Sequence, residues 1–432
     1  MRAMKDSGIP WIGEIPEGWK VCKTKDVFVR KNEKAHQENP IVLSLARAGV
    51  KVRDITKNEG QLAESYYDYN PVEPFDLLLN PMDLYSGANC SISLVRGVIS
   101  PAYVNLKAKA NACPRFYDYY YKTQYWSMAF FAHGKGISFD NRWTLGMDTL
   151  FRYNVPLPPL AEQQRIAEFL DRKCAEVDEM IALQEQIIEE LKAYKQSVIT
   201  ETVTKGLNPD VPMKDSGIEW IGQIPEHWEV EPLKYNFNRR SERNNPIITT
   251  ERLSLSIDKG VTLYSEKTTN LDRFKEDFTQ YQLAYPNDIV LNCMNMIVGA
   301  VGLSKYLGCV SPVYYVIYPF KTKVDSEYYS YLLNTSTIRG VYYSYGKGIY
   351  AIERGEGRVN TCRLKVSYDD FGRFNIPIPP IEEQRNIVSH IKEKCADIDA
   401  LIATKQQKID SLKEYKKSII YEYVTGKKEV TE

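Results

Sequence analysis

The 432-residue chain carries one sequence block twice, and this constrains its fold more than any other feature. Met4-Lys5-Asp6-Ser7-Gly8-Ile9-Pro10-Trp11-Ile12-Gly13 returns as Met213-Lys214-Asp215-Ser216-Gly217-Ile218-Glu219-Trp220-Ile221-Gly222, and both copies run on to Ile-Pro-Glu-x-Trp, ending at Trp19 and Trp228, an offset of 209. A second match starts at Pro156-Leu157-Pro158-Pro159-Leu160 and Pro377-Ile378-Pro379-Pro380-Ile381 and continues without a gap at an offset of 221. The middle of the second copy is therefore 12 residues longer (221 − 209). The middles are also less alike, sharing mainly Asn80-x-Met82 with Asn292-x-Met294, Ser100-Pro101 with Ser311-Pro312, and Gly134-Lys135-Gly136-Ile137 with Gly346-Lys347-Gly348-Ile349. A scaffold that recognises two different things would show a constant frame with a variable filling. So would an old duplication whose middles drifted.

The end of each copy predicts a long helix. Residues 160–204 hold no glycine or proline, and Pro158-Pro159 gives an extended entry outside the helix. Apolar or small residues step by four and three through Leu170, Cys174, Val177, Ile181, Ile188, Leu191 and Val198, a heptad seam interrupted by Gln184 and Lys195. The second copy repeats it at Ile391, Cys395, Ile398, Ile402, Ile409, Leu412 and Ile419, interrupted by Lys405 and Lys416. Gly206 and Gly426 mark the two stops. Two such helices of ~45 residues are each about 65–70 Å long. A seam this narrow needs a partner, and the other copy is the obvious one; an antiparallel pair would carry the two globular domains to opposite ends. The alternative is that each helix packs separately on its own domain. Leu183, Ile187 and Tyr194 make the helices apolar beyond the seam, which suggests further helices from a partner.

The globular stretches 20–155 and 229–376 mix strand-like segments, such as Ile41–Leu45 and Asp288–Leu291, with short aromatic helices at Phe116–Tyr121 and Ser326–Leu333, so an α+β fold is expected. Composition excludes little. Basic and acidic residues balance at 56 each, although residues 1–159 hold 20 basic to 16 acidic and 160–205 hold 6 to 10, which permits nucleic-acid binding without indicating it. The eight cysteines form no CxxC pair and only four histidines are present, which favours reduced, buried thiols over a metal site. No stretch reaches the ~18 apolar residues of a membrane span, and no apolar run follows the first charges, so no signal peptide and a cytoplasmic location are expected. Catalytic signatures are absent: there is no phosphate-binding GxxxxGK[ST] loop and no HExxH. Asn80-Pro81-Met82-Asp83 bears a faint likeness to the Asn-Pro-Pro-aromatic site of adenine methyltransferases, but it lacks the second proline and the aromatic, and its counterpart Asn292-Cys293-Met294-Asn295 lacks even the first proline. It reads as structural.

Taken together, the run Pro156-Leu157-Pro158-Pro159-Leu160-Ala161-Glu162-Gln163-Gln164-Arg165-Ile166, its copy Pro377–Gln384, the Gly8–Trp19 block with its copy, and the spaced Asn80, Met82, Ser100, Pro101 and Tyr103 resemble the specificity subunits of type I restriction–modification systems over essentially the whole chain. The resemblance implies two target-recognition domains at 1–155 and 207–376. Each is followed by a conserved spacer helix, at 156–206 and 377–432, and the helices pair as an antiparallel coiled coil. It implies a non-catalytic protein that reads a bipartite, asymmetric site in double-stranded DNA and docks two methyltransferase (M) subunits, which restriction or motor (R) subunits then join. S-adenosylmethionine, Mg and ATP would belong to those partners, with no cofactor on this chain. Base-reading residues do not transfer by motif in such a family. On chemistry alone, Lys135 and Arg142 after the first glycine loop, and Lys347, Arg354 and Arg358 after the second, are the candidate DNA contacts, against solvated surface charge. Two other readings stay open: a self-contained adenine methyltransferase with a duplicated recognition domain, and a coiled-coil adaptor that binds proteins.

Overall fold

The computed structural model describes every residue except 1, 57–62, 83, 85–88, 137–142, 257–258, 268–276, 294–299, 350–351, 355–357, 361–362 and 432. Two compact units are formed, one from Met1–Glu185 with Gln406–Glu432 and one from Gln186–Lys405. The long helices span Leu160–Lys205 and Ile381–Val424. Each ends on a glycine in the left-handed region, Gly206 at φ 78° and Gly426 at φ 72°, as the sequence leads one to expect.

The first unit holds a four-stranded antiparallel sheet in the order Phe28–Lys31, Val104–Ala108, Leu77–Leu79, Cys90–Ile92. Its central run Asp76-Leu77-Leu78-Leu79 does not alternate in polarity because both faces are buried. Leu77 and Leu79 join an aromatic cluster with Phe116, Tyr117, Tyr120 and Tyr121 of helix Pro114–Trp126, while Leu78 joins a second cluster with Leu43, Leu45, Val72 and Ile99. The second unit repeats this plan with strands Phe237–Arg239, Tyr314–Pro319, Ile289–Asn292 and Val301–Leu303. There Ile289 and Leu291 face Tyr328 and Tyr329 of helix Ser326–Leu333, and Val290 faces Leu253, Val261 and Val310. The fold is mixed α and β. The expected strand at Ile41 begins later, at Leu43–Ala46: Ile41 is exposed, and only its carbonyl is used, accepting from the Val98 N–H.

The same joints lock each repeat. Gln163, fully buried in the first turn of its helix, accepts the Cys113 N–H at 2.8 Å and donates to the carbonyls of Asn111 at 3.1 Å and Pro158 at 2.9 Å. Gln384 does likewise, accepting the Asp325 N–H at 2.8 Å and donating to Lys323 O at 2.8 Å and Pro379 O at 2.7 Å. Tyr117 and Tyr329 donate to the carbonyls of Pro156 and Pro377, fixing the strand that feeds each helix. The tryptophan blocks receive helix ends. In the first unit a side chain on Gly426 would collide with Pro16 and crowd buried Trp19, and the Tyr421 hydroxyl donates to Trp11 O at 3.0 Å. In the second, Gly206 lies against buried Trp228, whose indole N–H donates to Glu383 at 3.1 Å.

Where the helices meet inside one unit, chain numbers run in opposite senses. In the first unit Phe169 stacks near Tyr423, with ring centres 4.4 Å apart, and Asp178 takes the Lys416 ammonium at 2.6 Å. In the second unit Ile199 and Val203 share a core with Ile387 and Ile391, and Lys195 pairs with Asp399 at 2.7 Å. The two ion pairs are copies of each other, since 178 + 221 = 399 and 195 + 221 = 416. Each aspartate is more than half exposed, so such a pair is worth about 0–1 kcal/mol and acts on register more than on stability. Lys195 and Lys416, one of the two interruptions in each seam, thereby acquire partners.

Candidate nucleic-acid interface

The length difference between repeats has a definite address. Matching residues are 212 apart at Lys135 and Lys347 and 221 apart at Thr144 and Lys365, so nine of the 12 extra residues fall between these points. In the first repeat Lys135 and Thr144 form a single antiparallel bridge, with N–H to O distances of 2.9 and 3.0 Å in the two directions. In the second the same position opens into a ladder, Lys347–Ile349 with Arg363–Lys365, continued by Ile352–Arg354 with Arg358–Asn360. The insertion is therefore a hairpin, set where the candidate DNA contacts cluster.

Lys135 and Lys347 are both exposed. The tight approach beneath Lys135 explains its glycine: a Cβ on Gly134 would meet the Trp143 indole, whose N–H donates to Phe131 O at 2.8 Å. Lys347 pairs in register with Lys365, and Arg354 with Arg358. Like charges directly opposite each other destabilise a hairpin unless an anion lies beside them. Arg142 lies outside the described residues, and of Arg354 and Arg358 only the backbone is described.

The Asn80 motif is occupied structurally. Asn80 turns its side-chain oxygen to the Met82 N–H at 2.9 Å, and its carbonyl accepts the Tyr125 hydroxyl at 2.7 Å. In the second copy Cys293, which stands where the first has Pro81, accepts the Val366 N–H through its carbonyl, as Pro81 accepts that of Leu145. Seven cysteines are described and all are free thiols, while Cys362 lies outside the described residues. Burial pushes the Cys22 and Cys309 thiols up to about 11, away from the thiolate that metals and electrophiles need. Among the described residues no three His, Cys, Asp or Glu side chains converge as a metal site, and no helix is long and apolar enough to cross a membrane.

Residues 96–193 match the family model for the type I restriction modification DNA specificity domain. The MjaVIII specificity subunit of a type I restriction enzyme from Methanocaldococcus jannaschii is 25% identical over 82% of this chain and 80% of its own. A chain from a structure describing complex assembly and conformational transition of the type I R-M system superposes with a TM-score of 0.63 at 15% identity, covering 95% of this chain and 99% of that one. The HsdS subunit from Thermoanaerobacter tengcongensis superposes at 0.51, also at 15% identity, covering 95% and 98%. The chain is thus similar to type I restriction enzyme specificity subunits over most of its length, and residues 96–193 match their DNA specificity domain. The likeness to the solved structures carries the fold. The matched segment runs from strand Gly97–Ile99 through the Gln163 joint into the middle of the first long helix. Of the ten seam residues Leu170, Val177, Ile181, Ile188, Leu191, Ile391, Ile398, Ile402, Ile409 and Leu412, all are buried except Leu191 and Ile402, which are half-buried. The buried glutamines and the tryptophan sockets carry no local signal in the sequence. Their only signal was that both lie in the best-preserved blocks of the repeat.

Proposed function

We propose that the specificity subunit reads a bipartite, asymmetric site in double-stranded DNA. One half-site would be read by a target-recognition domain at 1–155 and the other by one at 207–376. The observation that carries this reading is the pairing of identical joints with unequal loops: Gln163 and Gln384 make the same three contacts, while the basic loop beyond them is a single bridge in one repeat and a long hairpin in the other. A constant frame holding two different cationic loops suits two different half-sites. Lys135, Arg142, Lys347, Arg354 and Arg358 are the proposed DNA contacts.

Spacer helices 156–206 and 377–432 would form an antiparallel coiled coil that fixes the distance between half-sites. The opposed contacts inside each unit and the burial of most seam residues support that pairing. Met180, Leu183 and Tyr415 in the first unit, with Tyr194 and Leu401 in the second, leave large apolar side chains exposed on the same helices. These faces suit docking of two methyltransferase subunits, which restriction or motor subunits would complete. Methyl transfer and cleavage would belong to those partners, leaving this subunit non-catalytic.

Affinity for duplex DNA, measured on the complex with its methyltransferase subunits, is expected to fall steeply with salt, because each neutralised phosphate adds a slope of about −0.9 in log K against log salt. Lys135→Ala and Lys347→Ala should each remove about one such contact and weaken binding about equally on all sequences. A salt-independent affinity contradicts the proposal.

A further inference from the structure

Arg239 ends the strand Phe237–Arg239 and is exposed. Its guanidinium carbon lies 5.0 Å from the ring centre of Tyr315 and 5.1 Å from that of Tyr368. The two rings meet edge to face, 5.4 Å apart. Tyr315 is itself pinned, being buried and donating its hydroxyl to Val366 O at 2.9 Å. Neighbouring Arg240 sits in a similar stack, 4.5 Å from Tyr285 and 4.4 Å from Tyr318, but its N–H groups go to both oxygens of buried Asp288 at 2.6 and 2.9 Å. Arg239 has the stack without the carboxylate: among the described residues it makes no hydrogen bond or ion pair. The exposed carboxylate of Asp369 is close enough to act on Tyr315, though burial is the larger effect on that phenol, and among the described residues no ion pair joins it to Arg239.

The surroundings are cationic. Val366 donates to Cys293 O, which brings the adjacent Lys365 beside the same turn, and Lys347 lies across the ladder from Lys365. Arg239 and Lys365 both favour the Cys293 thiolate, against the larger effect of burial, so both charges reach that point. The device is private to the second repeat. Arg30 pairs with Leu106 as Arg239 pairs with Ile317, but Val104 and Met147 stand where the second repeat has Tyr315 and Tyr368.

We infer that Arg239 is a pre-set DNA contact of the second recognition half, donating two parallel N–H bonds to the non-bridging oxygens of one backbone phosphate. The inference rests on the DNA-reading function proposed above. Aromatic faces on the guanidinium fix its plane before binding, so little rotamer freedom is lost when the fork engages an anion. Clustered cations match the repeated charge of a DNA backbone better than a single base edge.

The test measures duplex affinity and its salt dependence on the subunit assembled with its methyltransferase partners. Arg239→Ala should lower affinity about tenfold or more and reduce the salt slope by about 0.9, equally for targets altered within the second half-site. Arg239→Lys should keep the slope without restoring full affinity, because an ammonium cannot make the bidentate fork. Tyr368→Leu should weaken binding by about three- to tenfold with the slope intact, since it removes positioning and no charge. Unchanged affinity in Arg239→Ala overturns the inference, as does a loss confined to one base pair, which would mark a base reader. If the unsubstituted complex itself binds without salt dependence, the DNA-reading function fails together with it. If that complex binds as expected and only the Arg239 variants behave like it, this inference alone fails.

Discussion

Inserting four residues after Gln184 and four after Lys405 should lengthen the spacer between the two methylated half-sites by on the order of one or two base pairs, leaving both half-site sequences unchanged. The two points are repeat-equivalent (184 + 221 = 405) and sit at the division between the compact units. Four residues add about 6 Å and roughly one turn to a helix, so an apolar seam stepping by four and three stays nearly in phase. Asp178 to Lys195 on one helix and Asp399 to Lys416 on the other are both 17 positions, so a matched insertion keeps the ion pairs Asp178–Lys416 and Lys195–Asp399 intact. An insertion in one helix alone leaves that count unequal and should be tolerated less well. Two residues at each point rotate the downstream seam by about 200° and should abolish methylation, because Ile188 and Ile409 can no longer both be buried. Sequencing for methylated adenines in cells carrying each variant gives the spacer directly. An unchanged spacer in a four-residue variant that folds and methylates defeats the ruler.

Gln163→Leu and Gln384→Leu should each cost about 3–5 kcal/mol of stability, far more than a surface polar substitution on a helix. Each removal strands one buried N–H and two carbonyls, and an unpaired buried group costs about 1–3 kcal/mol. For a unit of this size the melting midpoint should drop by roughly 8–15 °C. The loss should be local. Hydrogen exchange in the Gln163 variant should quicken at Cys113 and the start of helix Pro114–Trp126, and in the Gln384 variant at Asp325 and helix Ser326–Leu333. Changes within about 0.5 kcal/mol at both sites would mean that the joints do not hold the helices to their domains.

These joints also mark what the sequence concealed. The long helices were legible almost to the residue, because Pro158-Pro159 and Gly206 bracket a stretch with no other breaker. The buried run at Asp288–Leu291 was legible too, as a short apolar segment among turn residues. Gln163 was not, since a glutamine in the first turn of a charged helix looks solvated. Its partners at Asn111 and Cys113 are about 50 residues away and meet it only in the folded unit. The hairpin at 352–360 was visible only as a total of 12 extra residues, and pairing Lys135 with Lys347 and Thr144 with Lys365 gives nine of them a location. The Arg239 clamp draws on residues 76 and 129 positions further along the chain, beyond any local pattern. The proposed DNA contacts lie in the variable filling, where the two copies of the repeat agree least.

The central claim is that two separate readers share one frame. The most direct measurement replaces residues ~20–155 with the corresponding segment of another specificity subunit and maps methylated adenines across the genome. The account predicts a bipartite motif in which one half-site is new, the other is retained and the spacer is unchanged. A motif altered in both halves, or unaltered in either, would contradict it.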